Sequence, residues 1–431
     1  MYRKIVSKLE DWKKSKTRKP LILLGARQVG KTWIMKEFGK TCYDSVAYVN
    51  CDEEPLAKNI FEADYSISRI VLTVQAITGV KVEAGKTLLI FDEIQEAPRG
   101  LHCLKYFCEN APEYHIIAAG SLLGVTLGHK ESYPVGKVNM LRMHPMDFEE
   151  FLLAMGEEKL LEPLQSHNWE LLKILKPKYV DMLRQYYFVG GMPEVVRAYS
   201  DNKDLKEVRD IQSEILESYR KDISKHASKT ETVRINQVFD SIPSQLAKEN
   251  KKFIYGVIKQ GARAAQYELA IQWLIDAGII HKVPRVSILK MPLKAYEDVS
   301  GFKLFLLDCG LLGSMSNTSA SQVLASDSAF TEYKGAFTEQ FVHQQLTANG
   351  INTFYWSNDK TTAEIDFAIQ NEERVIPIEV KAEENVRAKS MTEYIKNNPE
   401  LKLKGLRISM KDYIDQGWME NVPLYAINSY I

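Results

Sequence analysis

At 431 residues the chain is too long for one compact core, so roughly two to four domains are expected; 45% hydrophobic and 26% charged residues are ordinary for a soluble globular protein. Fifty-six basic and 56 acidic side chains cancel, so global charge argues neither for nor against nucleic acid, and only a local patch can. Five cysteines without a C-x-x-C pair suit free thiols, eight histidines show no metal spacing, and no run of about 18 apolar residues offers a membrane span, which points to the cytoplasm.

Met1 to Pro20 carries eight basic residues beside Glu10 and Asp11 and has no apolar core; it reads as a charged helix, not a secretory signal. Leu21-Ile22-Leu23-Leu24 is an apolar run that reads as a buried parallel strand. It leads straight into Gly25-Ala26-Arg27-Gln28-Val29-Gly30-Lys31-Thr32, the pattern G-x-x-x-x-G-K-[ST]. The glycines let the backbone turn its N–H groups toward a phosphate chain. Lys31 brings a point charge for the β- and γ-phosphates, and Thr32 a hydroxyl for Mg²⁺. Thr32 to Phe38 then opens a helix whose positive end faces the anion.

Val46 to Val49 is the next strand. Leu88 to Phe91 is another, and it delivers Asp92 and Glu93 to the carboxyl edge of the sheet. Asp92 is expected in the Mg²⁺ shell, and Glu93 is expected to polarise the water that attacks the γ-phosphate. A third strand, His115 to Ala119, ends in Gly120-Ser121, where Ser121 is either a γ-phosphate sensor or an ordinary turn residue. Arg142 is the one basic side chain on its apolar run; it either reaches a γ-phosphate, here or in a neighbouring subunit, or lies on the surface. Residues 1–150 are expected to form a P-loop ATPase domain: a parallel sheet with helices on both faces.

Residues 151–230 are helix-rich and read as a lid or connector. Just before them, Asp147 followed by Glu149 and Glu150 is a helix start, and Tyr186 to Val189 is a helix end broken by Gly190-Gly191-Met192-Pro193. Residues 231–313 read as a winged helix-turn-helix. A short helix from Lys252 to Ile258 precedes a longer one from Ala264 to Ala277, stopped by Gly278, and Ile279 to Leu289 and Lys303 to Leu307 supply the wing strands. Lys248, Lys251, Lys252, Lys259 and Arg263 make this region basic enough to follow a DNA backbone. Gln266, Glu268, Gln272 and Asp276 on the longer helix argue against sequence reading and for a packing module.

After the Ser-rich stretch Ser314 to Ser328, residues 326–431 carry a second constellation. A helix around Phe337 to Val342 holds Glu339. Two alternating strands follow: Ile365, Phe367 and Ile369 lie opposite Asp366, and Ile376, Ile378 and Val380 lie opposite Glu379 and Lys381. Asp, then Glu-x-Lys on an adjacent strand, is the arrangement of metal-dependent nucleases, in which two carboxylates hold the ion that activates water. The alternative is a simple solvated strand face or a cross-strand pair. Glu339, Asp366, Glu379 and Lys381 are the candidate residues.

Through the P-loop, Leu89-Ile90-Phe91-Asp92-Glu93, Gly120-Ser121, Gly190-Gly191-Met192-Pro193, Glu364-Ile365-Asp366-Phe367 and Pro377-Ile378-Glu379-Val380-Lys381, the whole chain resembles a family of bacterial and archaeal AAA-type ATPases. These join a P-loop domain and a winged helix to a C-terminal domain of unknown function with a restriction-endonuclease-like core. The resemblance implies ATP and Mg²⁺ as ligands, with Gly30, Lys31 and Thr32 on the phosphates, Asp92 and Glu93 as the metal and water-activating acids, and Ser121 as sensor. The expected protein is an ATPase whose nucleotide state controls the nuclease-like domain. The alternative is a non-nucleolytic switch or platform that binds DNA or a protein partner. Rings among related ATPases leave a homo-oligomer open beside a monomer.

Overall fold

The structure is a computed structural model that describes residues 1–62, 64–97, 99–120, 136–248, 251–324, 331–358, 360–383 and 388–431. The chain forms two compact units, Tyr2–His144 with Asp276–Ile279, and Pro145–Ile275 with Ile280–Ile431 and Met1.

In the first unit, five strands, β1 (Leu21–Leu24), β2 (Ser45–Asn50), β3 (Thr87–Asp92), β4 (His115–Ala119) and β5 (Asn139–Arg142), form an all-parallel sheet in the order β2-β3-β4-β1-β5. β1, β3 and β4 are buried along their whole length, which is why Leu21–Leu24, Leu88 to Phe91 and Ile116 to Ala119 are apolar runs and not alternating ones. The helix Lys31–Cys42 lies on the Val46 and Leu88 face, and a Cβ on Gly39 would come within 2.5 Å of Val46 Cγ2. Trp12, from the N-terminal helix Ile5–Lys14, tilts against Phe38 on the same side, with ring centroids 6.5 Å apart. On the opposite face Ala47, Val49, Leu89, Phe91 and Ile116 pack with Ile70, Val74, Leu104 and Phe107 of the helices Ile67–Thr78 and Gly100–Asn110. Sequence and structure agree on a parallel sheet covered on both sides.

The second unit begins with helices. Asp147 caps Phe148–Ala154 in a reciprocal box with Glu150, as the acids at that start require. Lys176–Val189 ends at Gly190, where φ is 76° and a Cβ would lie 2.1 Å from Asp308 Oδ1. Gly191 donates its N–H to Asp308 Oδ2 at 2.6 Å, and its own Cβ would strike Met146 O at 2.1 Å. The Gly-Gly pair thus lets two chain segments meet a buried carboxylate. The helices Lys229–Leu246, Tyr255–Ile258 and Ala264–Asp276 lead to the antiparallel pair β6 (Ile280–Val286) and β7 (Glu297–Leu306).

That pair does not stand alone. Through Arg285 beside Tyr355, β6 joins β8 (Phe354–Ser357), and with β9 (Glu364–Gln370), β10 (Val375–Val380), β11 (Gly405–Ser409), β12 (Ile414–Asp415) and β13 (Met419–Pro423) it makes one mixed sheet, ordered β12-β13-β11-β10-β9-β8-β6-β7. The helix Thr331–Ala348 lies against it, with His343 packed on both Phe305 and Phe367 at ring-centroid distances of 4.6 and 6.0 Å, the two phenyl rings being 5.5 Å apart. Buried glutamines on this helix are bonded to backbone. Gln340 brackets Leu306, accepting from its N–H at 3.0 Å and donating to its carbonyl at 2.6 Å, while Gln345 Oε1 accepts from Phe148 N at 2.8 Å. Because the helix covers this side of the sheet, Glu379 is buried, and the expectation of a solvated strand face gives way.

Candidate functional site

The loop after β1 has the backbone that its glycines foretell. Gly25 has φ 151° and Gly30 φ 94°, and Gln28 also lies in the left-handed region at 66°. A Cβ on Gly25 would lie 2.5 Å from Met143 O, so the first glycine is required by a close backbone approach. Gly30 is the N-cap of Lys31–Cys42, which aims the first helical amides at the loop. Arg27, Gln28 and Thr32 are exposed, whereas Ala26, Val29 and Lys31 are buried. Lys31 Nζ folds back and donates to Gly25 O and Ala26 O, both at 2.8 Å. Burial pushes its pKa down to about 8, against the opposing pull of Glu93 and Asp92.

Asp92, at the end of β3, is buried, and its Oδ2 accepts from Thr32 Oγ1 at 2.6 Å and from Tyr48 OH at 3.1 Å. Its Oδ1 accepts from Glu93 N at 3.1 Å. Glu93 sits at φ 49°, half-buried, with Gln95 Nε2 donating to its Oε2 at 2.6 Å. The strand register places Arg142 beside Leu24, the residue before the loop, with its side chain exposed. Ser121 lies outside the described residues. Three contributors escaped the sequence reading. Tyr48 comes from β2, where alternation alone places it on the Val46 face. Gln95 follows two residues after Glu93. Arg3 is buried and donates to Val29 O at 3.0 Å and His144 O at 2.7 Å, bracing the loop from outside any motif.

These groups suit an Mg²⁺-nucleotide. Magnesium keeps most of its waters and asks a protein for one or two oxygens beside the phosphates; the Thr32 hydroxyl and Asp92 carboxylate, in contact with each other, supply them. The same pair would not suffice for a metal held by protein alone. Among the described residues no group of three or more His, Cys, Asp and Glu is arranged to hold an ion.

In the second unit, Glu339, Asp366, Glu379 and Lys381 are brought into one region, together with groups that the motif lacks. Phe367 pairs with Ile378 in the β9–β10 hairpin, and Asp366 Oδ2 accepts from Val380 N at 2.7 Å. Lys381 Nζ lies 2.8 Å from Glu379 Oε1. Lys251 Nζ lies 2.6 Å from Glu339 Oε1, so this lysine turns inward and leaves the basic surface expected of it. Lys303 is fully buried, ion-paired to Glu364 and 3.6 Å from Glu339 Oε2. Burial, with Glu339 and Glu379 nearby, raises the Asp366 carboxyl well above its usual range. Burial raises Glu379 as well, although Lys381 opposes it. Glu339 is as deeply buried, yet Lys251 and Lys303 hold it below the usual range.

Residues 17–152 match the model of a family described as an AAA domain, and this part of the chain is an AAA-type P-loop domain. Residues 180–322 match a domain of unknown function (DUF8612), and residues 334–427 match another (DUF4143). No curated protein matches the chain. Among solved structures, the Walker-type ATPase PABY2304 of Pyrococcus abyssi is 16% identical, with a TM-score of 0.44 over 72% of this chain and 94% of that one. The Aeropyrum pernix ORC1 protein in complex with DNA is 13% identical, TM-score 0.28, over 75% and 92%. The Thermotoga maritima RuvB Holliday junction branch migration motor is 13% identical, TM-score 0.31, over 66% and 90%. Scores of this size carry no function from those proteins to this chain. Among the described residues no helix is long and apolar enough to cross a membrane.

Proposed function

We propose that this protein is an Mg²⁺-dependent ATPase whose nucleotide state controls the C-terminal unit. The observation that carries the reading is the convergence of Lys31 and Thr32 from the loop with Asp92 and Glu93 from β3. On ATP binding, Lys31 exchanges the carbonyls of Gly25 and Ala26 for phosphate oxygens, and the loop amides and the helix N-terminus take the rest of the charge. Thr32 and Asp92 hold Mg²⁺, which when bound neutralises charge on the β- and γ-phosphates. Glu93, oriented by Gln95, accepts the proton of the attacking water. Arg142 and Ser121 are the candidates for sensing the γ-phosphate. The test is hydrolysis and binding measured together: Glu93→Gln is expected to lose turnover by about 100-fold or more while still binding ATP. Turnover that survives this change would remove Glu93 as the water's base.

For the second unit we read the helices Lys229–Leu246, Tyr255–Ile258 and Ala264–Asp276 with β6 and β7 as a winged helix, and the remainder as a nuclease-like fold. Asp366, Glu379 and Lys381 are the candidate catalytic groups of that fold, with Glu339 beside them. Lys251 and Lys303 among these carboxylates favour the second reading, a cytoplasmic nucleotide switch or platform that binds DNA or a protein partner without cutting, alone or as a homo-oligomer. Incubating the protein with DNA and Mn²⁺, with and without ATP, decides between them: cleavage lost in Asp366→Ala and Lys381→Ala supports the nuclease, and no cleavage by wild type supports the switch.

A further inference from the structure

The second unit holds an open cleft of about 560 Å³ between the first turns of the helices Lys229–Leu246 and Ala264–Asp276. Three cations line it, Lys229, Arg234 and Lys259; all are exposed, and among the described residues none is ion-paired. No carboxylate among the described residues lines the cleft. Glu231, on the same helix, is turned back to accept from Ser228 N at 3.0 Å. The neutral walls add donors. Gln237 Oε1 already accepts from Tyr267 OH at 2.9 Å, and Gln266 Oε1 from Arg263 N at 3.2 Å, which leaves both amide NH₂ groups to donate. A cleft that offers cations and donors suits an anion with many acceptor oxygens. From Lys229 to Gln237 the helix face is a row about 12 Å long, and a nucleic-acid strand passes a phosphate about every 3.4 Å. A protein partner would call instead for apolar anchors and few lysines. The apolar lining here is Val233, Ala262 and the buried ring of Tyr267. Further along the longer helix the exposed side chains Glu268, Leu269 and Gln272 include an acid and no cation, which favours contact with a backbone over contact with bases.

We propose that this cleft binds the sugar-phosphate backbone of a nucleic acid: Lys229, Arg234 and Lys259 each neutralise a phosphate, and Thr230, Gln237 and Gln266 donate to phosphate and sugar oxygens. The proposal rests on the reading of the second unit as a nucleic-acid platform, and it gives that platform a location and a mode, recognition without sequence preference. Lys229 and Arg234 come from a helix that precedes the basic stretch of the sequence, while Lys251 of that stretch is turned inward onto Glu339.

The test is fluorescence anisotropy of labelled DNA and RNA duplexes of about 30 base pairs with the full-length protein, at salt from about 50 to 200 mM. Three phosphate contacts contribute about 2.7 to the slope of log affinity against log salt. The triple variant Lys229→Ala, Arg234→Ala, Lys259→Ala is therefore expected to lose that much slope and to bind about 100-fold or more weakly at the lowest salt. Two DNA duplexes of unrelated sequence are expected to bind within about threefold of each other. The control Lys40→Ala, Lys173→Ala, Lys206→Ala removes three exposed cations elsewhere and is expected to keep the wild-type slope. Should the first triple variant fail to fold, each single change to Gln at Lys229, Arg234 or Lys259 carries the expectation of a slope lowered by about one. Slope loss with either duplex supports the proposal, and the tighter duplex names the source of the backbone. A folded triple variant that binds as wild type overturns the cleft and leaves the platform reading standing, whereas wild type that binds neither duplex ends both. An equal loss in the control overturns the proposal, since binding then follows net charge. So does displacement of the duplex by poly-glutamate as readily, charge for charge, as by unlabelled duplex, which assigns the cleft to an acidic polypeptide.

Discussion

Lys31 and Lys303 are both buried lysines, one in each unit, and their surroundings shift them in opposite directions. Lys31 is pushed down to about 8 because burial outweighs carboxylates that are near but not in contact. Lys303 is equally buried, yet it is held above the usual lysine range because Glu364, Glu339 and Asp366 more than offset the desolvation. The first ammonium is satisfied by loop carbonyls alone and can exchange them for phosphate. The second is locked by its ion pair to Glu364 and lies 3.6 Å from Glu339, which Lys251 holds more closely still at 2.6 Å. Burial does not make a lysine functional or structural; the charge of its nearest partner does.

The largest test of this contrast is to remove the locked lysine. Lys303→Met is expected to cost about 3 kcal/mol of stability in denaturant unfolding, because half-buried Glu364 loses its ion-pair partner and buried Glu339 keeps only Lys251. A loss under about 1 kcal/mol would mean the pair is solvated and the comparison fails. Lys31→Ala should do the reverse: ATP hydrolysis falls on the order of 100-fold or more, while the unfolding midpoint at neutral pH holds or rises.

The acidity of Lys31 gives a smaller effect with a definite sign. In the nucleotide-free protein its ammonium is lost as pH rises through about 8, so ATP affinity falls above that pH. Binding measured at about pH 8 to 9 should take up protons, visible as a dependence of calorimetric heat on the buffer's ionisation enthalpy. For stability the sign reverses. The unfolded chain keeps this proton up to the ordinary lysine value while the folded one releases it near 8, so the residue's contribution to stability rises with pH across that window. The smallest effect is at Asp366, whose raised carboxyl is a charge that the fold resists. Asp366→Asn keeps an acceptor for Val380 N and should gain about 1 kcal/mol at neutral pH. The gain should fade toward acid pH, where the wild-type carboxyl is already protonated.

The sequence alone determined what depends on neighbours in the chain. The G-x-x-x-x-G-K-[ST] loop, the apolar strand ending in Asp92 and Glu93, the Asp147 cap with Glu150 and the hairpin carrying Asp366 and Glu379 are each written within a few residues, because backbone turns, capping and strand alternation are short-range effects. Tertiary structure decided the partners. Arg3 reaches Val29, Tyr48 reaches Asp92, Asp308 reaches Gly191, and Lys251 and Lys303 reach Glu339, and none of these pairings has a local pattern. A lysine on paper is equally a surface charge, a DNA contact or a buried counter-ion. Which one it becomes depends on the carboxylates that the folded chain sets beside it, and those come from strands and helices tens of residues away.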